Sequence, residues 1–244
     1  MIFRIAAAAV LLLTAQAAAA DLAPSYQEVC KAEDIPEWAY GKDGTPVQFR
    51  PLFGCDDRFG ARRDHDEQFV EKLQARGKKG TALSWELVRL GWKWIGAQKP
   101  SSALNRFNLA FEADPRNGDV YHGIAVVMDI TAQSPDVVEF WFRRAVAEDA
   151  GQPGRFADYG RFLNTQKRYD EALPVLEKAL ALEPVNAWTM MNLATLHLEQ
   201  GDLTRACAMI QRIGTAFPPP GYPKERFQAL VDQWQARGEK AGCS

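Results

Sequence analysis

The chain has 244 residues, with 29 Lys and Arg set against 31 Asp and Glu. A formal charge of −2, with no basic excess and no positive stripe, leaves nucleic-acid binding without compositional support. Beyond residue 20, no stretch is apolar enough to cross a membrane.

Residues 1–20 have the pattern of a secretory signal. Arg4 is the lone charge, Ile5 to Leu13 form an apolar run too short to span a bilayer well, and Ala18, Ala19 and Ala20 precede Asp21. Cleavage there predicts a periplasmic or secreted protein with no stable membrane span. Residues 21–62 form an irregular cap, because Pro36, Gly41, Gly44, Pro46, Pro51, Gly54 and Gly60 interrupt any helix. Within it a short helix at 25–32 and short strands at Val47, Phe49 and Phe53 are the most that can form. Residues 63–83 hold a helix and a linker. Phe69, Val70 and Leu73 make a one-sided stripe, and Asp64 and Asp66 sit near the favourable N-terminus.

The next region is periodic. Residues 153–186, PGRFADYGRFLNTQKRYDEALPVLEKALALEPVN, read as two amphipathic helices and a turn. Small Gly160 and Ala172 stand where the helices cross, Leu176 and Ala179 face inward, and Pro184 ends the second helix. A step of 34 residues leads to Ala194, Ala206, Ile210 and Pro218; a step of 69 backwards leads to Gly91, Ala103, Phe107, Ala110 and Pro115. The copy between, with Ala125, Val138, Phe142 and Ala145, needs one extra residue, placed in the turn from Thr131 to Pro135. This pattern resembles the tetratricopeptide repeat. The resemblance covers residues 84–218 and implies an all-α, right-handed α-solenoid of about four helix pairs.

Residues 219–244 complete the chain. Three prolines and Gly221 break it, Pro223 suits a first helical position, and Phe227, Leu230, Val231 and Trp234 line one face of a helix to about Arg237. An array of this kind needs such a helix to cover its last apolar face. The four cysteines of an exported chain favour disulfides over thiol chemistry. Three connectivities are open; Cys30 with Cys55 and Cys207 with Cys243 is the economical one, stapling both ends. No spacing suits a zinc site.

In the family the first (A) helix of each repeat lines a concave groove. Carried over by position, the groove would present Trp85, Val88, Arg89, Trp92 and Ile95, then Asp119, His122, Val126 and Asp129. The third copy gives Asp158, Arg161 and Asn164, and the fourth Trp188, Met191, Asn192 and Thr195. Trp92 and Arg161 are expected to point into the arc, free of any packing duty. Aromatic residues and arginine are the types enriched at binding hot spots, so a protein or peptide partner is implied. Some family members grip a terminal carboxylate with lysine, asparagine and arginine, but Val88 and Trp92 occupy the first two of those places here. His197 falls on a core-facing position. No GxSxG, HExxH or GxGxxG occurs, and neither a cofactor nor a metal is expected. Two other readings remain: an enzyme with a site among Asp56, Asp57 and His65, and a structural oligomerisation module.

Overall fold

The computed structural model describes residues 35–41, 45–46, 49–55, 61–148, 151–218 and 222–243. The signal at 1–20, the helix at 25–32, and Cys30, Val47, Asp56 and Asp57 lie outside these residues. Among the described residues all regular structure is helical. The order is α1 (Ala61–Gln74), α2 (Gly80–Gly96), α3 (Pro100–Ala113), α4 (Gly118–Ile130), α5 (Pro135–Glu148), α6 (Pro153–Thr165), α7 (Tyr169–Leu182), α8 (Ala187–Glu199), α9 (Leu203–Ile213) and α10 (Lys224–Ala241). Helices α2 to α9 pack as four consecutive pairs in a right-handed α-solenoid, and α10 lies on the last pair.

Every pair turns by the same device. Gln98, Ala132, Lys167 and Gly201 all adopt left-handed backbone, with φ of 57°, 53°, 58° and 76°. Three of them are not glycine, a conformation costing roughly 1–2 kcal/mol per residue. The cost is offset by hydrogen bonds that close each helix end: Lys99, Gln133, Arg168 and Asp202 donate their amides to the carbonyls of Trp94, Met128, Leu163 and His197 at 2.8–3.0 Å. Helices α3, α7 and α9 begin two residues after their turn residue, whereas α5 begins three after Ala132. The extra residue of the second copy therefore sits in this turn.

Close approach within the pairs depends on missing side chains. Phe107 of α3 is fully buried and lies between Gly91 of α2 and Gly123 of α4. A Cβ added to Gly91 would stand 2.6 Å from the Phe107 ring, and one added to Gly123 only 2.2 Å. Gly160 leaves the same kind of space for Leu176, where an added Cβ would lie 2.5 Å away. Gly123 carries no periodic signal that points to this role, because it serves the preceding repeat rather than its own.

Successive A helices (α2, α4, α6 and α8) touch one another, while adjacent second (B) helices (α3, α5, α7 and α9) barely do. The array therefore closes on its A side and opens on its B side. The N-terminal segment lies over that open side, against α3 and α5, rather than across the end of the array. Its two turns of 3-10 helix, Glu37–Tyr40 and Pro51–Cys55, bury Ala39, Leu52 and Phe53 completely. No strand forms at Phe49 or Phe53. Asn108 of α3 accepts from the Leu52 amide and donates to the Arg50 carbonyl, both at 2.8 Å. Trp141 of α5 donates its indole N–H to the Ala39 carbonyl at 2.9 Å. Cys55 is disulfide-bonded, and its expected partner Cys30 is outside the described residues.

At the other end, Phe227 and Val231 of α10 enter a cluster with Ala187, Met190, Met191, Ala194, Ile210 and Ile213. The Cys207–Cys243 disulfide, with its Cα atoms 5.3 Å apart, ties α10 to α9. Its 36-residue separation corresponds to about 3–4 kcal/mol on chain-entropy grounds. Pro223 precedes the first helical residue instead of being it, and α10 runs on to Ala241.

Two glycine substitutions separate packing from propensity. Gly123→Ala is expected to destabilise by about 1–3 kcal/mol through overpacking against Phe107. Gly96→Ala, with nothing within 4 Å of its added Cβ, is expected to be neutral or to stabilise by up to about 1 kcal/mol. Urea melts of both variants check the contrast; a neutral Gly123→Ala would remove the close approach.

Candidate partner-binding groove

The groove is built from the inward faces of α2, α4, α6 and α8, held side by side by the A-helix contacts. At its first end Trp85 is 45% exposed, and Arg89 is exposed and paired with Glu86 at 2.6 Å. Val88 is only 4% exposed and belongs to the core. Trp92 is half-buried, its ring edge-on to Phe107 at 5.7 Å and tilted over His122 at 4.9 Å. The expectation of a Trp92 free of packing duty is corrected here: burying Phe107 against Gly91 brings its ring within reach of Trp92, one residue along α2.

In the middle, polar and charged side chains one repeat apart meet across the A helices. His122 Nε2 lies 2.8 Å from Asp158 Oδ2. Arg161 donates to Asp129 at 2.7 Å and stands 3.7 Å from Asp158. Below them Arg155, 2% exposed, donates to Asp119 at 2.8 Å and to the Ala145 carbonyl at 3.3 Å. Arg161 is thus also engaged in holding the array, not free as expected. Sequence reasoning missed Arg155 because the repeat places it beside the groove positions. The signal was available in the opposite charges of Asp119 and Arg155, one repeat apart. Gly118 makes room for it, since a Cβ there would stand 2.3 Å from the guanidinium.

The last stretch is uncharged. Asn164 donates to the Asn192 carbonyl at 2.9 Å, and Asn192 donates back to the Ala157 carbonyl at 3.3 Å. Met191 and Val126 are buried, and Thr195 bonds to the Met191 carbonyl within its own helix. Trp188 is half-buried and packs edge-on to Tyr222 and Phe227 at 5.6 and 6.3 Å, joining the groove's far end to the C-terminal helix. His197 is 5% exposed, and burial lowers its pKa.

The acidic segment does not converge among the described residues. Asp64 and His65 face solvent. Asp66, expected near the favourable N-terminus of its helix, is instead 1% exposed and accepts from Asn105 of α3 at 3.0 Å. No group of His, Cys, Asp and Glu side chains among the described residues is arranged to hold a metal ion.

A family model for the tetratricopeptide repeat matches residues 163–231. The helix pairs share the fold of tetratricopeptide repeats. The chain is 30% identical over 114 residues to the type IV pilus assembly protein PilF of Pseudomonas aeruginosa, covering 46% of this chain and 45% of that one. It is 31% identical over 104 residues to tetratricopeptide repeat protein 21B of Xenopus laevis, covering 43% of this chain and 8% of that one. The alignments thus span less than half of either relative. Among solved structures, that of Pseudomonas aeruginosa PilF superposes with a TM-score of 0.52 at 23% identity, over 66% of this chain and 77% of that one. PilW, described as a widely conserved type IV pilus biogenesis factor, superposes with a TM-score of 0.51 at 20% identity, over 65% and 77%. These likenesses show the fold.

The cross-helix pairs give the groove an acid-sensitive component. Burial alone would raise the Asp158 pKa, but the hydrogen bond and charge of His122 and the charge of Arg161 outweigh it and hold it below the ordinary 3.8. A carboxyl depressed in this way stabilises the folded state above about pH 3.8, and the contribution fades as pH falls further. Asp158 is 35% exposed, so screening keeps the expected cost of Asp158→Asn on the order of 1 kcal/mol at neutral pH. The variant should also lose stability less steeply on acidification below about pH 4. Urea unfolding across that range reads both effects; identical pH slopes would remove the pairing.

Proposed function

We propose that the protein is a non-enzymatic scaffold of the bacterial envelope that holds a protein or peptide segment in its concave groove. The observation that carries this reading is the groove itself. Its charged middle is fixed by His122–Asp158, Arg161–Asp129 and Arg155–Asp119, and aromatic side chains stand at both ends. A surface fixed beforehand binds without the ordering cost that a flexible one incurs. Trp85 and Arg89 at the first end, with Trp188 and Asn192 at the last, are the contact positions. Val88, Trp92, His122, Asp129, Asp158, Arg161 and Asn164 shape the floor between them.

The signal pattern of residues 1–20 and the even number of cysteines support export. Similarity to PilF, a type IV pilus assembly protein, and to PilW, a pilus biogenesis factor, supports a role in assembling an envelope structure. The described residues include no helix long and apolar enough to cross a membrane.

The test compares partner capture by wild type, by Trp85→Ala with Arg89→Ala, and by Asp64→Asn with His65→Ala. The groove pair should weaken capture about tenfold, or roughly 1–2 kcal/mol, with an unchanged melt. The acidic-segment pair should capture as wild type does. Loss confined to the acidic-segment variant would replace the scaffold with the enzyme reading. Light scattering that shows a stable oligomer would favour the structural one.

A further inference from the structure

The gap between α3 and α5 on the open side is filled by the N-terminal segment, but the next one along, at the junction of α5 and α7, holds a cleft of about 550 Å³. Trp38 stands over it. The turn that carries Trp38 is anchored by its neighbours: Ala39, fully buried, accepts from Trp141, and Tyr40 is 8% exposed. Trp38 itself remains 52% exposed, resting edge-on against Phe140 of α5 with ring centroids 5.4 Å apart. An indole left half in water by a turn that does not need it for anchoring is an unspent apolar face.

The rest of the lining is polar and already balanced. Glu139 accepts from both Arg143 and Arg168, at 2.8 and 3.0 Å, and from the Tyr159 hydroxyl at 3.1 Å. Arg168 is largely committed, donating to Glu171 at 2.6 and 2.7 Å and to the second oxygen of Glu139 as well. Arg143, exposed, donates to Glu139 through Nε and Nη2 and turns the rest of its guanidinium to solvent, and Asp136 is exposed with no hydrogen bond among the described residues. Asp136 and Glu139 cancel Arg143 and Arg168, so the cleft selects for no net charge.

We propose that this cleft binds a neutral saccharide. A sugar ring presents C–H groups on one face, which pack on an indole ring, and hydroxyls around its edge that both donate and accept. Trp38 supplies the platform, Asp136 the acceptor and Arg143 the donor. The volume and the few placed polar groups are those of a small-molecule site. A basic peptide side chain would find one free carboxylate but face the exposed Arg143; an acidic one would find the exposed Arg143 but face Asp136. The site is on the side opposite the groove and does not depend on what the groove holds.

Saturation-transfer NMR with chitotetraose, cellotetraose and maltotetraose tests this, using the full exported chain. At least one of them should bind with a dissociation constant below about 1 mM. Trp38→Ala should weaken that binding about tenfold or more, Asp136→Asn several-fold, and Trp85→Ala not at all. Thermal melts will show whether Trp38→Ala disturbs the N-terminal segment; Asp136→Asn, on an exposed side chain, tests the site even then. No binding of any of the three at about 10 mM, or equal binding by Asp136→Asn, overturns the proposal. So does Trp38-dependent binding of trilysine or triglutamate in place of the sugars.

Discussion

Full burial of the Phe107 ring is possible because both helices that flank it present glycine at the contact, Gly91 on one side and Gly123 on the other. One aromatic edge therefore fixes two distances at once, α2 to α3 within a repeat and α4 to α3 between repeats. Leu176 against Gly160 repeats the within-pair half of that arrangement further along. Once the A helices are drawn together in this way, the B helices behind them cannot also touch, because each pair is a wedge. The concave face and the open back are consequences of one packing choice.

The back then has to be dealt with. Opening α3 from α5 would expose Trp141, Leu104 and the main chain between them, and the N-terminal segment is what covers them. It does so with little regular structure, so its main-chain polar groups need side-chain partners supplied by the helices. Asn108 answers two of them and Trp141 a third. Losing one partner there would leave a buried group unpaired, at about 1–3 kcal/mol each. Leu52, Phe53 and Gly54 are left-handed in succession, a conformation the segment holds only because Asn108 fastens it at Arg50 and Leu52 and the two apolar side chains are completely buried.

This contrast explains what could be read from the chain. The helix pairs announce themselves through small and bulky residues recurring at fixed steps, since packing of regular elements repeats whenever the sequence does. The single inserted residue was legible for the same reason, and it lies in the turn after Ala132. The N-terminal segment was legible only as irregular. Its position depends on main-chain bonds to Asn108 and Trp141, and neither residue advertises that duty in any pattern. Asp66 was illegible for a related reason: its helix begins at Ala61, so it stands past the first turn, and it meets Asn105 across an interface. In the groove, position within the repeat gave the right face for Arg161 and Trp92 but not their neighbours. Those come from the adjacent repeat, and the periodic pattern describes one repeat at a time.

The groove's electrostatics carry a further consequence. A partner that inserted a charge between Arg161 and Asp129, or between His122 and Asp158, would have to separate groups already 2.7 and 2.8 Å apart. Separating a partly buried pair leaves each member desolvated without compensation, so the exchange brings little net gain. The charges in the middle of the arc are therefore better suited to holding the A helices in register than to supplying affinity. In the proposed function, affinity is left to side chains that face solvent without a structural commitment, and along the A helices that describes Trp85 far better than Arg161. Under that proposal, a ladder rigid in the middle and aromatic at its ends would favour an elongated occupant long enough to reach both, because a short one placed centrally would meet only groups that are already satisfied.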